Sequence, residues 1–277
     1  MEREIATIIM AAGRGSRMAG YAGNKTLLPL TPEGSVFMGQ DPILVHIIDQ
    51  LPSGPKAIVV NHCQNDVRRA TRHLGVTYLE QPVLNGTGGA ILAARPFLDA
   101  IDCDHCIITM GDVPFIRPST YARLVEGLQD RAMVVLGFKP VDKKQYGVLE
   151  IASDRVECIT EWKYWKDYPA ARQAELTICN SGIYAARREA LQRYLPILAS
   201  RPQIVQKEIN GCLTPIEEFF LTDLIEFMVA DDLPLGFIVG ADETEAMGID
   251  DQAALENAQR LFRNAATQKG LTFDEAT

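Results

Sequence analysis

A glycine-rich segment follows the first apolar run of the chain. Its sequence is Ala11-Ala12-Gly13-Arg14-Gly15-Ser16-Arg17-Met18, and Lys25 follows a few residues later. Glycines let successive backbone N–H groups turn toward one concavity, where phosphate oxygens accept them, while Arg17 and Lys25 add charged donors. The spacing fits neither a Walker A loop nor a dinucleotide-binding fingerprint. The segment predicts an anion site of another kind, and its alternative interpretation is a tight strand-to-helix turn with basic residues on the surface.

Two aspartates are candidates for a metal site. Asp112 directly follows an apolar run that is predicted to be a buried strand, and Asp250 stands in the segment Gly248-Ile249-Asp250. Open α/β sheets bind ligands at the carboxyl ends of their strands, which is where Asp112 would emerge. Mg²⁺ prefers one or two carboxylates together with waters and phosphate oxygens, so the pair predicts a magnesium site. The alternatives are a turn residue at Asp112 and a helix N-cap at Asp250.

Eight segments come in an order that resembles the motifs of the sugar-nucleotide pyrophosphorylases, a branch of the Rossmann-like nucleotidyltransferases. The resemblance spans about residues 5–270 and is closest to the uridylyltransferase domain of bifunctional N-acetylglucosamine-1-phosphate uridylyltransferases. Eight matches in family order are specific, although each one alone is modest. The segments are residues 11–18 with Lys25, Gln81 with Gly86-Thr87-Gly88, Gly111-Asp112-Val113-Pro114, Tyr146-Gly147, Ile159-Thr160-Glu161-Trp162-Lys163, Cys179-Asn180-Ser181-Gly182-Ile183, Glu218-Phe219-Phe220-Leu221-Thr222-Asp223 and Gly248-Ile249-Asp250.

The resemblance implies a fold and a reaction. The fold would be α/β, a Rossmann-like mixed sheet that is mainly parallel, with helices on both faces and an antiparallel, sugar-binding insertion at about residues 140–185. The reaction would be Mg²⁺-dependent transfer of a nucleotidyl group from a nucleoside triphosphate, expected to be UTP, to a sugar 1-phosphate. N-acetylglucosamine 1-phosphate or a related hexose 1-phosphate would accept it, with release of pyrophosphate.

The resemblance also implies a role for each matched residue. Catalysis would fall to Arg17, Lys25 and Asp112, and Mg²⁺ would be held by Asp112 and Asp250. The nucleotide-binding residues would be Ala11, Ala12, Gly13, Gly15, Ser16, Gln81, Gly86 and Thr87. The sugar-binding residues would be Gly147, Glu161, Lys163 and Asn180.

Three positions depart from the family pattern. Asn24 replaces the usual proline before Lys25, Gly89 stands where histidine often follows Gly-Thr-Gly, and Asp250 replaces asparagine. Base and sugar identity are therefore less firmly predicted than the reaction. The alternatives are a cytidylyltransferase for a phosphorylated alcohol and a non-catalytic sugar-nucleotide sensor.

The elements that must position these residues follow from the apolar pattern. Short β-rich runs alternate with helical patterns, which predicts parallel strands joined by crossover helices. Strands are predicted at residues 5–10, 57–61, 76–80, 106–110, 132–138, 178–185 and 235–239, with an antiparallel pair at 146–151 and 155–160. Helices are predicted at 42–51, 65–74, 88–98, 118–128, 188–198, 216–230 and 251–268, and loops at 31–40 and 200–214.

Composition excludes several classes of partner. The 277 residues carry 27 basic and 36 acidic side chains, a formal charge of −9, which argues against nucleic acid or anionic lipid as a partner. There is no targeting signal and no apolar run long enough to span a membrane, and six scattered cysteines fit reduced thiols in the cytoplasm. We expect one nucleotidyltransferase domain at residues 1–250, a C-terminal helix and tail at 251–277, and no acetyltransferase domain.

Overall fold

The computed structural model describes residues 4–15, 17–18, 20–209 and 212–274. The strands are β1 Ala6–Met10, β2 Pro29–Glu33, β3 Ser35–Pro42, β4 Lys56–Val60, β5 Thr77–Glu80, β6 His105–Met110, β7 Met133–Phe138, β8 Val148–Ala152, β9 Arg155–Thr160, β10 Cys179–Arg187, β11 Gln203–Ile209, β12 Cys212–Glu218 and β13 Leu235–Val239. The helices are α1 Ile43–Gln50, α2 Gln64–Thr71, α3 Thr87–Ala93, α4 Arg95–Ala100, α5 Pro118–Glu126, α6 Trp162–Trp165, α7 Ala170–Glu175, α8 Arg188–Ala199, α9 Asp223–Ala230 and α10 Gln252–Asp274, with a 3₁₀ helix at Lys25–Leu27.

A nine-stranded mixed sheet forms the centre of the molecule, with the strand order β13-β7-β10-β6-β1-β4-β5 and the pair β8 and β9 attached beside β10. Strands β6, β1, β4 and β5 run parallel to one another, β7 is parallel to β13, and β10 is antiparallel to β6, β7 and β8. The predicted mixed, mainly parallel α/β fold is therefore confirmed.

The central strands are buried on both faces because helices cover both sides of the sheet. All five residues of β1 are buried, and alternate side chains enter different clusters: Ile8 packs with residues of α3, α4, α8 and α9, and Ile9 with residues of α1, α2 and α5. This alternation follows from the two-residue repeat of a strand. A parallel sheet buried in this way needs uninterrupted apolar runs, which is the pattern that predicted these strands.

Two predicted loops are wrong. Residues 31–40 belong to the hairpin of β2 and β3, and residues 203–209 and 212–214 to the hairpin of β11 and β12. Prolines and glycines in these segments led to the loop prediction, but each hairpin is a two-stranded sheet in which a proline without an N–H is tolerated at an edge.

The predicted helix at residues 216–230 is wrong in its first part. Residues 216–218 belong to β12, and α9 begins only at Asp223. Between them, Phe219 exchanges backbone hydrogen bonds with a distant segment: its N–H donates to Asn85 O (2.9 Å), and its carbonyl accepts from Gly88 N (2.8 Å). The backbone groups of this stretch are thus committed to another segment, and the apolar spacing alone could not reveal this.

Smaller differences have local causes. The predicted helix at 88–98 is divided into α3 and α4 at Ala94, because Pro96 lacks the N–H that a continuous helix would need. The predicted antiparallel pair is confirmed as β8 and β9, although β8 begins at Val148 and not at Tyr146. No predicted helix corresponds to α6 or α7.

The C-terminal helix α10 stabilises the region beside the glycine-rich segment. Leu255 and Ala258 pack with Leu28 in a cluster that also contains Met18. The buried Gln259 side chain donates through Nε2 to Pro29 O and Val36 O, both at 2.8 Å, and so ties α10 to the β2–β3 hairpin. None of the helices in the described ranges combines the length and the apolar character that crossing a membrane requires.

Candidate functional site

A cavity of about 1010 Å³ opens at the carboxyl ends of β1 and β6. This volume lies at the upper end of the range for ligand pockets, roughly 300–1,000 Å³. Most of the predicted catalytic, metal and nucleotide-binding residues line it: Ala11, Ala12, Gly13, Gly15, Arg17, Lys25, Gln81, Gly86, Thr87, Asp112 and Asp250. Ser16 lies outside the described residues. The chain thus brings residues from widely separated segments to one concave surface.

The glycine-rich segment leaves β1 and turns back on itself at Gly15. Gly15 has a left-handed backbone, with φ of +61°, and its carbonyl accepts from Met18 N at 2.9 Å. A Cβ at this position would lie 3.2 Å from Lys25 Cβ, so the absence of a side chain lets the Lys25 stem pass close to the loop. The glycine therefore positions the lysine as well as the loop.

Four charged side chains meet in the cavity. Lys25 Nζ contacts Asp112 Oδ2 and lies 2.9 Å from Asp250 Oδ1, and Arg17 Nη2 lies 3.1 Å from the same Asp250 atom. Burial opposes the charge on Lys25, but the attraction of Asp112 and then of Asp250 outweighs it and raises the pKa of the ammonium above its ordinary value. Lys25 is thus a fixed positive charge, whereas the Arg17 side chain is 66% exposed and can reorient.

The same two carboxylates fit a divalent metal. They converge on one cation, the Lys25 ammonium, which shows that both can approach a single positive centre. Within the described residues there is no group of three or more His, Cys, Asp or Glu side chains that could hold a metal, and a pair of carboxylates completed by water and phosphate oxygens is what Mg²⁺ takes in phosphate sites.

Backbone contacts explain why Asp112 and Asp250 meet. The Asp112 carbonyl accepts from Ile249 N at 2.9 Å, which holds the segment 248–250 against the end of β6. The N-cap interpretation of Asp250 is wrong, because Asp251 caps α10 by accepting from Ala254 N at 2.8 Å. The Asp250 side chain is free of that task and faces the two cations.

The buried Asn24 side chain holds the start of the glycine-rich segment in place. The sequence did not predict this role. Its Nδ2 donates to Ala11 O and His62 O, both at 2.9 Å, and its Oδ1 accepts from Thr26 N (3.0 Å) and Thr26 Oγ1 (2.8 Å). The side chain is 1% exposed and caps the 3₁₀ helix that begins at Lys25. The residue that departs from the family pattern therefore ties the start of the loop to the lysine.

Replacing Asn24 with alanine is expected to loosen this arrangement. Three backbone groups that Asn24 serves, those of Ala11, His62 and Thr26, would lose their buried partner, so the free energy of unfolding should fall by about 3 kcal/mol. Displacement of Lys25 should lower kcat/KM by about 10- to 100-fold. Urea denaturation and steady-state kinetics measure the two effects. Gln252→Ala, which removes an exposed amide paired with Glu256, is the control and should change neither.

The segment of residues 81–87 forms another wall of the cavity. Gly86 has φ of +94°, and a Cβ there would lie 2.4 Å from Phe219 O, so only glycine allows this approach. The Thr87 hydroxyl accepts from Leu221 N at 3.1 Å. Gln81 is 3% exposed, and its Nε2 donates to Asn85 Oδ1 and Gly86 O, both at 3.1 Å. The wall is thus built from two distant parts of the chain.

The predicted sugar-binding residues are not among those that line the cavity. Three of them lie together beside it: Asn180 N donates to Gly147 O at 2.8 Å, and a Cβ at Gly147 would lie 3.5 Å from Glu161 Oε2. Burial raises the pKa of Glu161, although Lys163 and a Thr222 hydrogen bond oppose the shift. Lys163 Nζ lies over the aromatic rings of Tyr164 and Phe220, 4.6 Å and 5.7 Å from their centroids.

The group of Gly147, Glu161 and Asn180 borders the cavity through its neighbours. A Cβ at Gly182, two residues after Asn180, would lie 3.3 Å from Met110, which lines the cavity. The pKa of Tyr146, the residue before Gly147, is raised by burial and then by the charges of Asp250 and Asp112. The arrangement is a cavity lined by charged residues, with a second polar group at its side.

Several lining residues were not predicted. Arg14, Asn85 and Glu217 all face the cavity, with Glu218 beside them. Arg14 could have been predicted from the sequence, because it is a basic residue between two glycines of the loop. The wrong helix prediction hid Glu217, and Glu218 was given no role although it opens one of the eight matched segments; the β11–β12 hairpin brings both to the cavity.

Comparison with known proteins identifies sequence relatives. Residues 7–176 match the model of the MobA-like NTP transferase domain. A bifunctional protein GlmU from Cereibacter sphaeroides is 31% identical over 277 residues, which cover 97% of this chain and 55% of the relative. The chain therefore spans about half the length of the curated relatives it matches.

Solved structures share the fold. A Bacillus anthracis structure in complex with sucrose, assigned as a glucose-1-phosphate thymidylyltransferase, has a TM-score of 0.65 at 19% identity and covers 94% of this chain and 95% of that one. A CMP:2-keto-3-deoxy-manno-octonic acid synthetase in complex with CTP has a TM-score of 0.63 at 17% identity, with 95% and 100% covered. At these identities the similarity shows the fold alone.

Proposed function

Because the chain belongs to the family of MobA-like NTP transferase domains and is a nucleotidyltransferase, we propose that its cavity transfers a nucleotidyl group to a sugar 1-phosphate. UTP is the proposed donor, and N-acetylglucosamine 1-phosphate or a related hexose 1-phosphate is the proposed acceptor. The observation that carries the proposal is the convergence of the glycine-rich loop, Lys25, Asp112 and Asp250 in one cavity.

The chemistry needs no covalent enzyme intermediate. An oxygen of the sugar phosphate attacks the α-phosphorus in line, a new P–O bond forms, and the bond to the β-phosphate breaks with its electron pair on the departing pyrophosphate. The attacking phosphate is already anionic near neutral pH, so the enzyme mainly aligns the anions and stabilises developing charge. Backbone donors of residues 11–15 together with Arg17 and Lys25 would hold the triphosphate and then the pyrophosphate.

Asp112 and Asp250 are the residues that would hold Mg²⁺. When bound, Mg²⁺ supplies charge neutralisation on phosphate oxygens. Lys25, which is paired with both carboxylates, would add its own positive charge beside the leaving group.

The polar group beside the cavity is the proposed sugar site. The half-buried Glu161 and Asn180 carry acceptors and a donor suited to hydroxyl and acetamido groups, and Gly147 leaves room next to the Glu161 carboxylate. Lys163 is exposed and would contact the sugar phosphate only after leaving the aromatic rings that it now covers.

A cytoplasmic location is also proposed, and the six cysteines, all free, agree with it.

The test is a substrate matrix. The protein is incubated with Mg²⁺, each of the four common ribonucleoside triphosphates in turn and a panel of sugar 1-phosphates, and released pyrophosphate is measured. We expect turnover with UTP and a hexosamine or hexose 1-phosphate, and loss of turnover with EDTA. Selective use of CTP with a phosphorylated alcohol would establish the cytidylyltransferase alternative. Tight nucleotide binding without turnover across the panel would indicate a sensor.

A further inference from the structure

We propose that Asn85, accommodated by the side-chain-free position Gly89, orients the Gln81 carboxamide so that the cavity selects uracil over cytosine. This inference rests on the proposed binding of a nucleoside triphosphate in the cavity. Asn85 is then a positioning residue that acts through Gln81. Gly89, which departs from the family pattern, is explained by the space that Asn85 needs.

The orientation of Gln81 is fixed by its neighbours. Gly86 O is a carbonyl oxygen and can only accept, so the Gln81 atom 3.1 Å away must be the amide nitrogen. The same nitrogen lies 3.1 Å from the Asn85 side chain, which must therefore present its oxygen, Oδ1. Both hydrogens of the Gln81 amide are then used. Rotating the carboxamide by half a turn would set oxygen against oxygen at both contacts.

Gly89 provides the space that Asn85 occupies. A Cβ at position 89 would lie 1.8 Å from Asn85 Oδ1 and 2.8 Å from Gln81 Nε2. Any larger side chain at 89 would therefore drive the Asn85 amide away from Gln81. The Asn85 backbone is held as well, because its N–H donates to Val83 O and its carbonyl accepts from Phe219 N, both at 2.9 Å. The position of the Asn85 side chain therefore depends on glycine at position 89.

The polar atoms left for a ligand define the preferred base. In the part of the chain that the structure describes, no protein donor is seen at Gln81 Oε1, and Gln81 and Asn85 both line the cavity. An oriented acceptor fits the imide N3–H of uracil, whereas cytosine has a lone pair at N3. A carboxamide free to rotate would offer either an acceptor or a donor, and so would serve both pyrimidines. Fixing it converts a tolerant contact into a selective one.

The experiment measures equilibrium binding of UTP and of CTP by calorimetry, without acceptor sugar, for the wild type and Asn85→Ala. The wild type should bind UTP more tightly, and Asn85→Ala should lower the UTP/CTP affinity ratio about tenfold, mainly by weakening UTP. Asn85→Asp keeps an acceptor for Gln81 Nε2, so it should retain the ratio even if its charge weakens both nucleotides. Thermal melts identify any variant that fails to fold.

A double-mutant cycle tests the pairing with Gly89. Gly89→Ala should reduce the ratio as much as Asn85→Ala does, and the double variant should be no worse than either single variant. Equal ratios in the wild type and Asn85→Ala, or additive effects of the two substitutions, would overturn the inference. A wild type that prefers CTP would also overturn it. Failure of the proposed function is a separate result, namely no pyrophosphate release in the substrate matrix despite a UTP/CTP ratio that depends on Asn85.

Discussion

Replacing Asp112 with alanine is expected to abolish most of the activity, lowering kcat by about 10³-fold. Asp112 is buried, follows β6 and contacts the Lys25 ammonium that also pairs with Asp250. The substitution removes one of the two carboxylates proposed to hold Mg²⁺ and one of the two anchors of Lys25. The measurement is pyrophosphate release at saturating substrates over a range of Mg²⁺ concentrations, together with Mn²⁺ binding followed by calorimetry.

A matched control separates this effect from a general loss of charge. Asp99→Asn removes an exposed carboxylate on α4, which accepts from Gln192, and should leave turnover and metal binding unchanged. The Asp112→Ala protein should remain folded, because the buried core of the sheet does not include the Asp112 side chain. Circular dichroism checks that the secondary structure is retained. Turnover within about threefold of the wild type in Asp112→Ala would remove Asp112 from the mechanism.

The parallel core could be predicted because burial on both faces imposes one simple pattern. β1, β4, β6 and β7 are short, uninterrupted apolar runs, and their side chains alternate between two clusters that lie on opposite faces of the sheet. Such a run has no other stable environment in a chain of this size, and the helices between the runs fix the crossovers. The position of Asp112 at the end of β6 followed from the same pattern.

The two small hairpins could not be predicted because their stability comes from contacts with distant segments. Strand β12 is mostly exposed and contains Pro215, and the chain after it is fixed by bonds from Phe219 to Asn85 and Gly88. The β2–β3 hairpin is similarly held from outside by Gln259 of α10. Local propensity is a weak guide where the deciding hydrogen bonds join residues far apart in sequence.

In the candidate site, too, some residues could be predicted from the local sequence and others depend on contacts with distant segments. Arg17 and Lys25 were candidates because they follow a glycine-rich strand end, and the resemblance to the family gave them their predicted roles. Asn24 and Asn85 were not, because an asparagine in a loop is unremarkable until its partners are known. Asn24 bonds His62, and Asn85 lies against Gly89. Two of the three departures from the family pattern, Asn24 and Gly89, are explained by these contacts.

Replacing Lys25 with methionine is the second large expected effect, and it separates the lysine from the metal site. Methionine has a similar length and preserves the contact of the stem with Gly15, but it removes the ammonium that pairs with Asp112 and Asp250. The proposed triphosphate loses a fixed, partly buried positive charge, so kcat/KM should fall by about 10²- to 10³-fold. Lys56→Met, at the far end of β4 from the cavity, is the matched control and should retain activity.

Metal binding should respond to Lys25→Met in the opposite direction from turnover. In the wild type the ammonium neutralises the two carboxylates, and a divalent cation has to share them with it. Without the ammonium, Asp112 and Asp250 repel each other, so the melting temperature should fall in EDTA and rise more steeply with added Mg²⁺ than in the wild type. Mn²⁺ affinity should be equal or higher in Lys25→Met but much lower in Asp112→Ala. If both variants lose Mn²⁺ to the same extent, Lys25 orients the carboxylates for the metal and its charge is not the main contribution to catalysis.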